Sequence, residues 1–196
     1  MGNNKSTVSG NYILVIGIVS FTLAIFFSLV SETITKKLNS LIVSFAILII
    51  IILISILADI IGTAVTVASE APLHAKAAKR VHGSQQGVIL IRNADRVANI
   101  CNDVVGDTTG TVAGALGIAL AFQIYSYSNS WDQFVLNILI TGIIASMTIS
   151  GKAIGKKYAL NHANEVIFFV GRIMAGWENV TGIKIGTKKS RGSKHK

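Results

Sequence analysis

Apolar residues run almost unbroken from Tyr12 to Val30 and again from Leu41 to Val67; they return from Ile118 to Ala121 and from Phe134 to Ser150. A helix needs about 20 apolar residues to cross the hydrocarbon core of a bilayer. The length of the second run therefore predicts a transmembrane helix, even though its Ile-rich centre, Ile47 to Ile54, would suit a buried strand. The pattern predicts an all-α, polytopic helical membrane protein with about four transmembrane helices plus interfacial helices. It divides into a flexible N-terminus over 1–10, an N-terminal transmembrane helix and loop over 11–40, a three-span unit over 41–180 and a basic disordered tail over 181–196. The first span is read as a retained helix, not a signal peptide, because its cleavage signal is poor and a second apolar run follows directly.

The polar interruptions carry the chemistry. From Asn99 to Gly117 two carboxylates and two carboxamides stand at the head of a small-residue helix that starts near Asp95. Asn102, Gly106, Gly110 and Gly114 recur every four residues and share one helical face, with Asn99, Asp103, Asp107 and Thr111 on the adjoining face. Small-xxx-small spacing lets helix backbones approach closely, and acids inside a membrane usually mark an ion or proton pathway. Asp59, followed by Gly62, Thr63 and Thr66, is open to two readings, a cation route or an interhelical hydrogen bond. Pro72 fits the first turn of an interfacial helix over 72–82, with Ser69 and Glu70 before it as capping side chains. Residues 83–91 read as a turn and a short apolar piece. Gly151 and Gly155 read as a broken or terminated helix end, and Glu165 to Trp177 as an amphipathic segment on the membrane surface.

Composition agrees, with 51% apolar and 14% charged residues in 196 and a mean hydropathy of +0.60. The net charge of +9 does not point to nucleic acid. Ten of the 18 Lys and Arg residues lie from Lys152 onward and five between Lys76 and Arg96, following apolar segments as the positive-inside rule expects. The tail from Lys184 holds six of them without an acid or an interleaved aromatic residue, which suits anionic lipid. The loop from Tyr125 to Asp132 has no Lys or Arg and is expected to face outward, leaving the C-terminus cytoplasmic in a multi-pass cell-membrane protein. Lys36 and Lys37 then face outward against the rule. Cys101 is read as a packing residue, and His74 and His82 are too isolated for a zinc site.

The order Ala68-Ser69-Glu70-Ala71, Asn102-Asp103-Val104-Val105-Gly106 and Gly151-Lys152-Ala153-Ile154-Gly155-Lys156 resembles the transmembrane domain of the CorB/CorC and cyclin M (CNNM) magnesium-transporter family. The family reads Ser-Glu-Thr/Ala, Gly-Asn-x-x-x-Asn and Gly-Glu-x-x-Pro-Lys at these places, and the resemblance covers residues 41–180. It implies a homodimer of three-span units in which serine, asparagine and backbone oxygens hold a dehydrated Mg2+, with Na+ as a coupling ion. Ser69, Asn102 and Gly151 match the family's ligands, and Asp103 and Asp107 are candidates to add negative charge. Mg2+ suits such a set because it takes hard oxygen ligands in strict octahedral geometry.

The departures are specific. Lys152 replaces the family's glutamate, Gly155 its proline and Gly106 its second asparagine, and the family's CBS modules have no counterpart within these residues. A lysine beside a cation site repels what the site should hold. Two functions are therefore expected from the sequence, a divalent-cation transporter and a non-transporting membrane partner or regulator on the same fold. An enzyme is not expected, since no Ser-His-Asp order, HExxH pair or phosphate loop occurs.

Overall fold

A computed structural model describes residues 10–38, 40–127 and 132–182, without the side chains of residues 10, 11 and 34–38. The predicted tail from residue 183, residues 1–9 and Trp131 of the outward loop lie outside the described residues. The protein is all-α: α1 Gly10–Leu38, α2 Leu41–Val67, α3 Glu70–Ala78, α4 Ser84–Arg92 and α5 Ala94–Asn99, then a π-helical segment Ile100–Asp107, α6 Thr108–Tyr127, α7 Gln133–Asn161 and α8 Ala163–Thr181. Among the described residues four helices are long and apolar enough to cross a membrane: α1, α2, α7 and the continuous rod α5–π–α6.

α2 is the central element because it is apolar on nearly every side and touches every other long helix. Its inward positions, Ser44, Leu48, Ile51, Ile52, Ser55, Asp59, Gly62 and Val65, fall at three- and four-residue spacing. The rod runs antiparallel to it, with Gln123 bonded to Ser44, Gly106 to Ser55, and Asn102 packed on Gly62. α7 runs parallel to α2, placing Gly151 against Ile56 and Gly155 against Ile60. α1 is peripheral and contributes Phe27 to the edge of the core.

Two apolar cores result. The first joins Leu48, Ile51 and Ile52 of α2 with Val112, Ala113, Leu116 and Leu120 of α6 and Ile144 of α7. The second forms a lobe at the far end of α2, where Ala64 and Val65 meet Leu73, Val88, Leu90, Ala159, Ala163 and Ile167 from α3, α4, α7 and α8. Ser55, Asp59 and Gly62 lie on α2 between the two.

Four sequence expectations are corrected. The loop expected between the first span and residue 40 is helical as far as Leu38, so α1 and α2 are joined by almost no chain. Residues 84–92 form the helix α4 in place of a turn and a short apolar piece, because Val88 and Leu90 find a buried face to occupy in the lobe. Gly151 and Gly155 neither break nor end a helix; α7 continues to Asn161, and both glycines serve as flat contacts for isoleucines of α2. The interfacial helix expected over 72–82 spans Glu70–Ala78, with Pro72 in its first turn. The chain then turns through Arg80 and Gly83, both with positive φ. In the glycine ridge, Gly106 and Gly110 face Ser55 while Gly114 has open space beside it, and the close contact to α7 is made by Gly117 against Ile144.

A close backbone-to-backbone contact lies in the lobe, where a Cβ added to Gly171 in α8 would overlap the backbone of Gly83 and Gly87. Gly171→Ala should cost about 1–3 kcal/mol by overpacking, since backbone cannot move aside as a side-chain end can. Gly176→Ala, on the same helix with nothing within 4 Å, should be neutral or slightly stabilising. Equal melting temperatures for the two variants would contradict this packing.

Candidate functional site

The level between the two cores holds a polar seam contributed by α2, the π-helical segment and α7. Ser55 donates its hydroxyl to the Gly106 carbonyl at 2.6 Å. Thr109 donates to the same carbonyl at 3.2 Å and to that of Val105 at 2.6 Å. Lys152 of α7 reaches this point too, its Nζ 3.3 Å from the Gly106 carbonyl and 3.1 Å from Asp107 Oδ1. One turn further along α7, Lys156 Nζ lies 3.4 Å from Asp59 Oδ2. Two lysines spaced i,i+4 on one helix thus meet two aspartates from two other helices.

The π-helical turns explain how the rod can present this surface. A π-bulge widens the backbone within an otherwise α-helical rod and often occurs at functional sites. Here it spans Ile100–Asp107, so it carries Asn102, Asp103, Gly106 and Asp107. At Gly106 the helix surface is flat, and Lys152 Nζ lies 3.7 Å from the position a Cβ would take, an ordinary packing distance.

Burial separates the members of the seam. The Asp59 side chain is only 5% exposed and that of Lys156 is 53% exposed, whereas Asp107 is 73% exposed and Lys152 18%. Each pair therefore joins a buried or part-buried group to one open to the surroundings. Asn102 Oδ1 is buried and accepts no hydrogen bond among the described residues; it sits so close over Gly62 that any side chain there would overlap it. Asp59, three residues before Gly62, is likewise without a hydrogen bond at Oδ2 and relies on Lys156. Buried acceptors are rarely left without a donor or a cation, and Tyr12 Oη and Asn137 Oδ1 are also buried without a partner among the described residues.

Of the residues expected to ligate metal, the structure places Asn102 and Asp107 at the seam. Asp103 is exposed on the same π-helical segment. Ser69 is the N-cap residue of α3, exposed, with no side-chain cap; its N–H donates to Asn164 Oδ1 at 2.8 Å. It stands seven residues beyond Gly62, about 10 Å further along at helical rise. Gly151 lies within α7 with its Cα against Ile56, and a mid-helix carbonyl belongs to the helical ladder. Among the described residues no group of three or more His, Cys, Asp and Glu side chains is placed to hold a metal ion. The oxygens at the seam are instead those of amide, hydroxyl, backbone and single carboxylates. Sequence reasoning missed Ser55, Gly62 and both lysine pairings. The i,i+4 spacing of Lys152 and Lys156 becomes a signal once α7 is taken as unbroken.

A second polar group lies at the lobe, outside the long apolar helices. Glu70 Oε2 is 2.9 Å from His74 Nε2 and 3.2 Å from Arg92 Nε. The His74 contact, and then Arg92, hold the Glu70 carboxyl below its ordinary range. No protein-family model, curated protein or solved structure matches the chain.

Both charge groups can be probed by substitution. Lys156→Met leaves Asp59 buried without its cation, which should cost about 1–3 kcal/mol, and Asp59→Asn in the same chain should recover part of it. Additive effects in that double-mutant cycle, read by thermal melting, would show that the pair does not form. Because the Glu70 value is lowered in the folded protein, its stabilising contribution is complete above the ordinary value of 4.5 and is lost as pH falls through the lowered one. Wild type should therefore lose more melting temperature than Glu70→Gln on acidification below that point; parallel curves would contradict it.

Proposed function

We propose that the protein is a multi-pass membrane protein whose polar seam is a cation site, and that it transports a divalent cation of the magnesium type. The observation carrying this reading is the Asn102 carboxamide oxygen, buried against Gly62 without a donor and one helical turn from the buried Asp59 carboxylate. An oxygen acceptor enclosed among apolar helices is costly unless something positive or hydrogen-bonding meets it. Hard oxygens from separate helices are the ligands that magnesium takes. The ordered motifs resembling the CorB/CorC and cyclin M family add support, with Asn102 matching the family's asparagine. By the same resemblance the working unit is a homodimer, sodium is the coupling ion, and Ser69 and the backbone at Gly151 complete the ion's path in a conformation that brings them toward Asn102. The charge-poor end at Tyr125 faces outward and the basic lobe faces the cytoplasm.

One observation favours a second reading. Lys152 holds the Gly106 carbonyl and Asp107 together, and a permanent internal ion pair there suits a non-transporting membrane partner or regulator.

Magnesium-dependent melting of the purified protein tests the proposal, because a ligand that binds only the folded state stabilises it by mass action, about 2.7 kcal/mol at a hundredfold excess over Kd. Magnesium should raise the melting temperature of wild type above that of a control at matched ionic strength. Asn102→Leu should remove that rise while leaving the protein folded and inserted. An unchanged magnesium response in a folded Asn102→Leu variant would overturn the site. No response of wild type to magnesium, manganese, cobalt or sodium would favour the regulator.

A further inference from the structure

We propose that the Lys152 ammonium is a tethered cation that fills part of the seam, so that a free divalent ion enters only by displacing this side chain. The inference rests on reading the seam as a cation site.

The partners of Lys152 are those a metal ion would choose. Its Nζ lies 3.3 Å from the Gly106 carbonyl and 3.1 Å from an Asp107 carboxylate oxygen, a neutral and an anionic hard oxygen. A lysine near the end of a long apolar helix ordinarily extends its ammonium toward water. Here the reverse holds: the lysine side chain is 18% exposed while its carboxylate partner is 73% exposed. The ammonium has turned inward to the seam, where it meets the Gly106 carbonyl.

The arrangement is exclusive. An ammonium and a divalent ion sharing these oxygens repel each other at such short range. Binding of the ion therefore requires a state in which Lys152 has left, and the apparent affinity is reduced by the fraction of time spent in that state. Lys152 thereby sets the ion concentration at which the site responds. Asn102 Oδ1, four residues before Gly106 on the same π-helical segment, has no hydrogen-bond donor among the described residues while Lys152 is in place.

The experiment is calorimetric titration of magnesium chloride into the full chain in lipid nanodiscs, with matched choline chloride as control, for wild type, Lys152→Met and Lys152→Arg. Removing the ammonium should lower the apparent Kd for magnesium by about tenfold or more, whereas Lys152→Arg, which keeps the charge, should not. If Lys152→Met alone fails to fold because Asp107 loses its partner, the double variant Lys152→Met/Asp107→Asn leaves neither charge unpaired and should also bind magnesium more tightly than wild type. Equal or weaker binding by the folded variants, with wild type itself binding, would overturn the tethered cation and leave the cation site standing. Absence of magnesium binding in wild type and in every folded variant would overturn both.

Discussion

A charge or a polar group is costly to leave unpartnered among apolar helices, and the fold depends on how α2 meets that constraint. α2 carries Ser55 and Asp59 between two apolar cores, and neither residue finds its partner on α2 itself. Ser55 bonds to Gly106, and Asp59 is met by Lys156. Each partner comes from a different helix, so satisfying both fixes the vertical register of the rod and of α7 against α2. Apolar packing alone specifies such a register weakly, since one turn of slippage exchanges one isoleucine for another. A slip of one turn in α7 would separate Lys156 from Asp59 and Lys152 from Asp107 together. Leaving the buried Asp59 without its cation costs about 1–3 kcal/mol, more than exchanging one aliphatic contact for another.

The same constraint explains which features were legible in the sequence. The long runs Tyr12–Val30 and Leu41–Val67 announced two helices because length and apolarity are sufficient for that reading. The small-residue helix announced itself by periodicity, and the importance of Asn102 and Gly106 came from that periodicity. The features that stayed hidden depend on neighbours. Gly151 and Gly155 look like stop signals to local reasoning, yet Ile56 and Ile60 need a flat surface there and the helix runs on. Treating those glycines as an end obscured the alignment of Lys152 with Lys156. The π-helical segment was also invisible. Within α6, Gly117 stands seven residues beyond Gly110 and is nearer to its phase than Gly114, which has no neighbour among the described residues. α4 is too short to declare itself, and its helical state comes from burial in the lobe.

The seam is placed where a controlled opening is physically economical. It lies at the boundary between the long-helix core and the lobe, and each ion pair has one member open to the surroundings. Groups of that kind exchange partners more readily than fully enclosed pairs. The lobe is held to the bundle through α2 and α7. Long lysine side chains at the boundary make such a change local, since an ammonium can leave its oxygens through rotation of its own stem while the helix stays in place.

The central claim is that α7 places its two lysines on the aspartates of α2 and of the π-helical segment within a bilayer. Solid-state magnetic resonance on the protein in lipid measures this directly, by recoupling lysine 15Nζ to aspartate 13Cγ, with Lys152→Arg and Lys156→Arg assigning the signals. The account predicts two lysine ammonium signals strongly dephased by aspartate carboxyl carbon at about 4 Å, each lost in one of the two variants. Lysine signals that show no aspartate dephasing in the folded, membrane-embedded protein would contradict it.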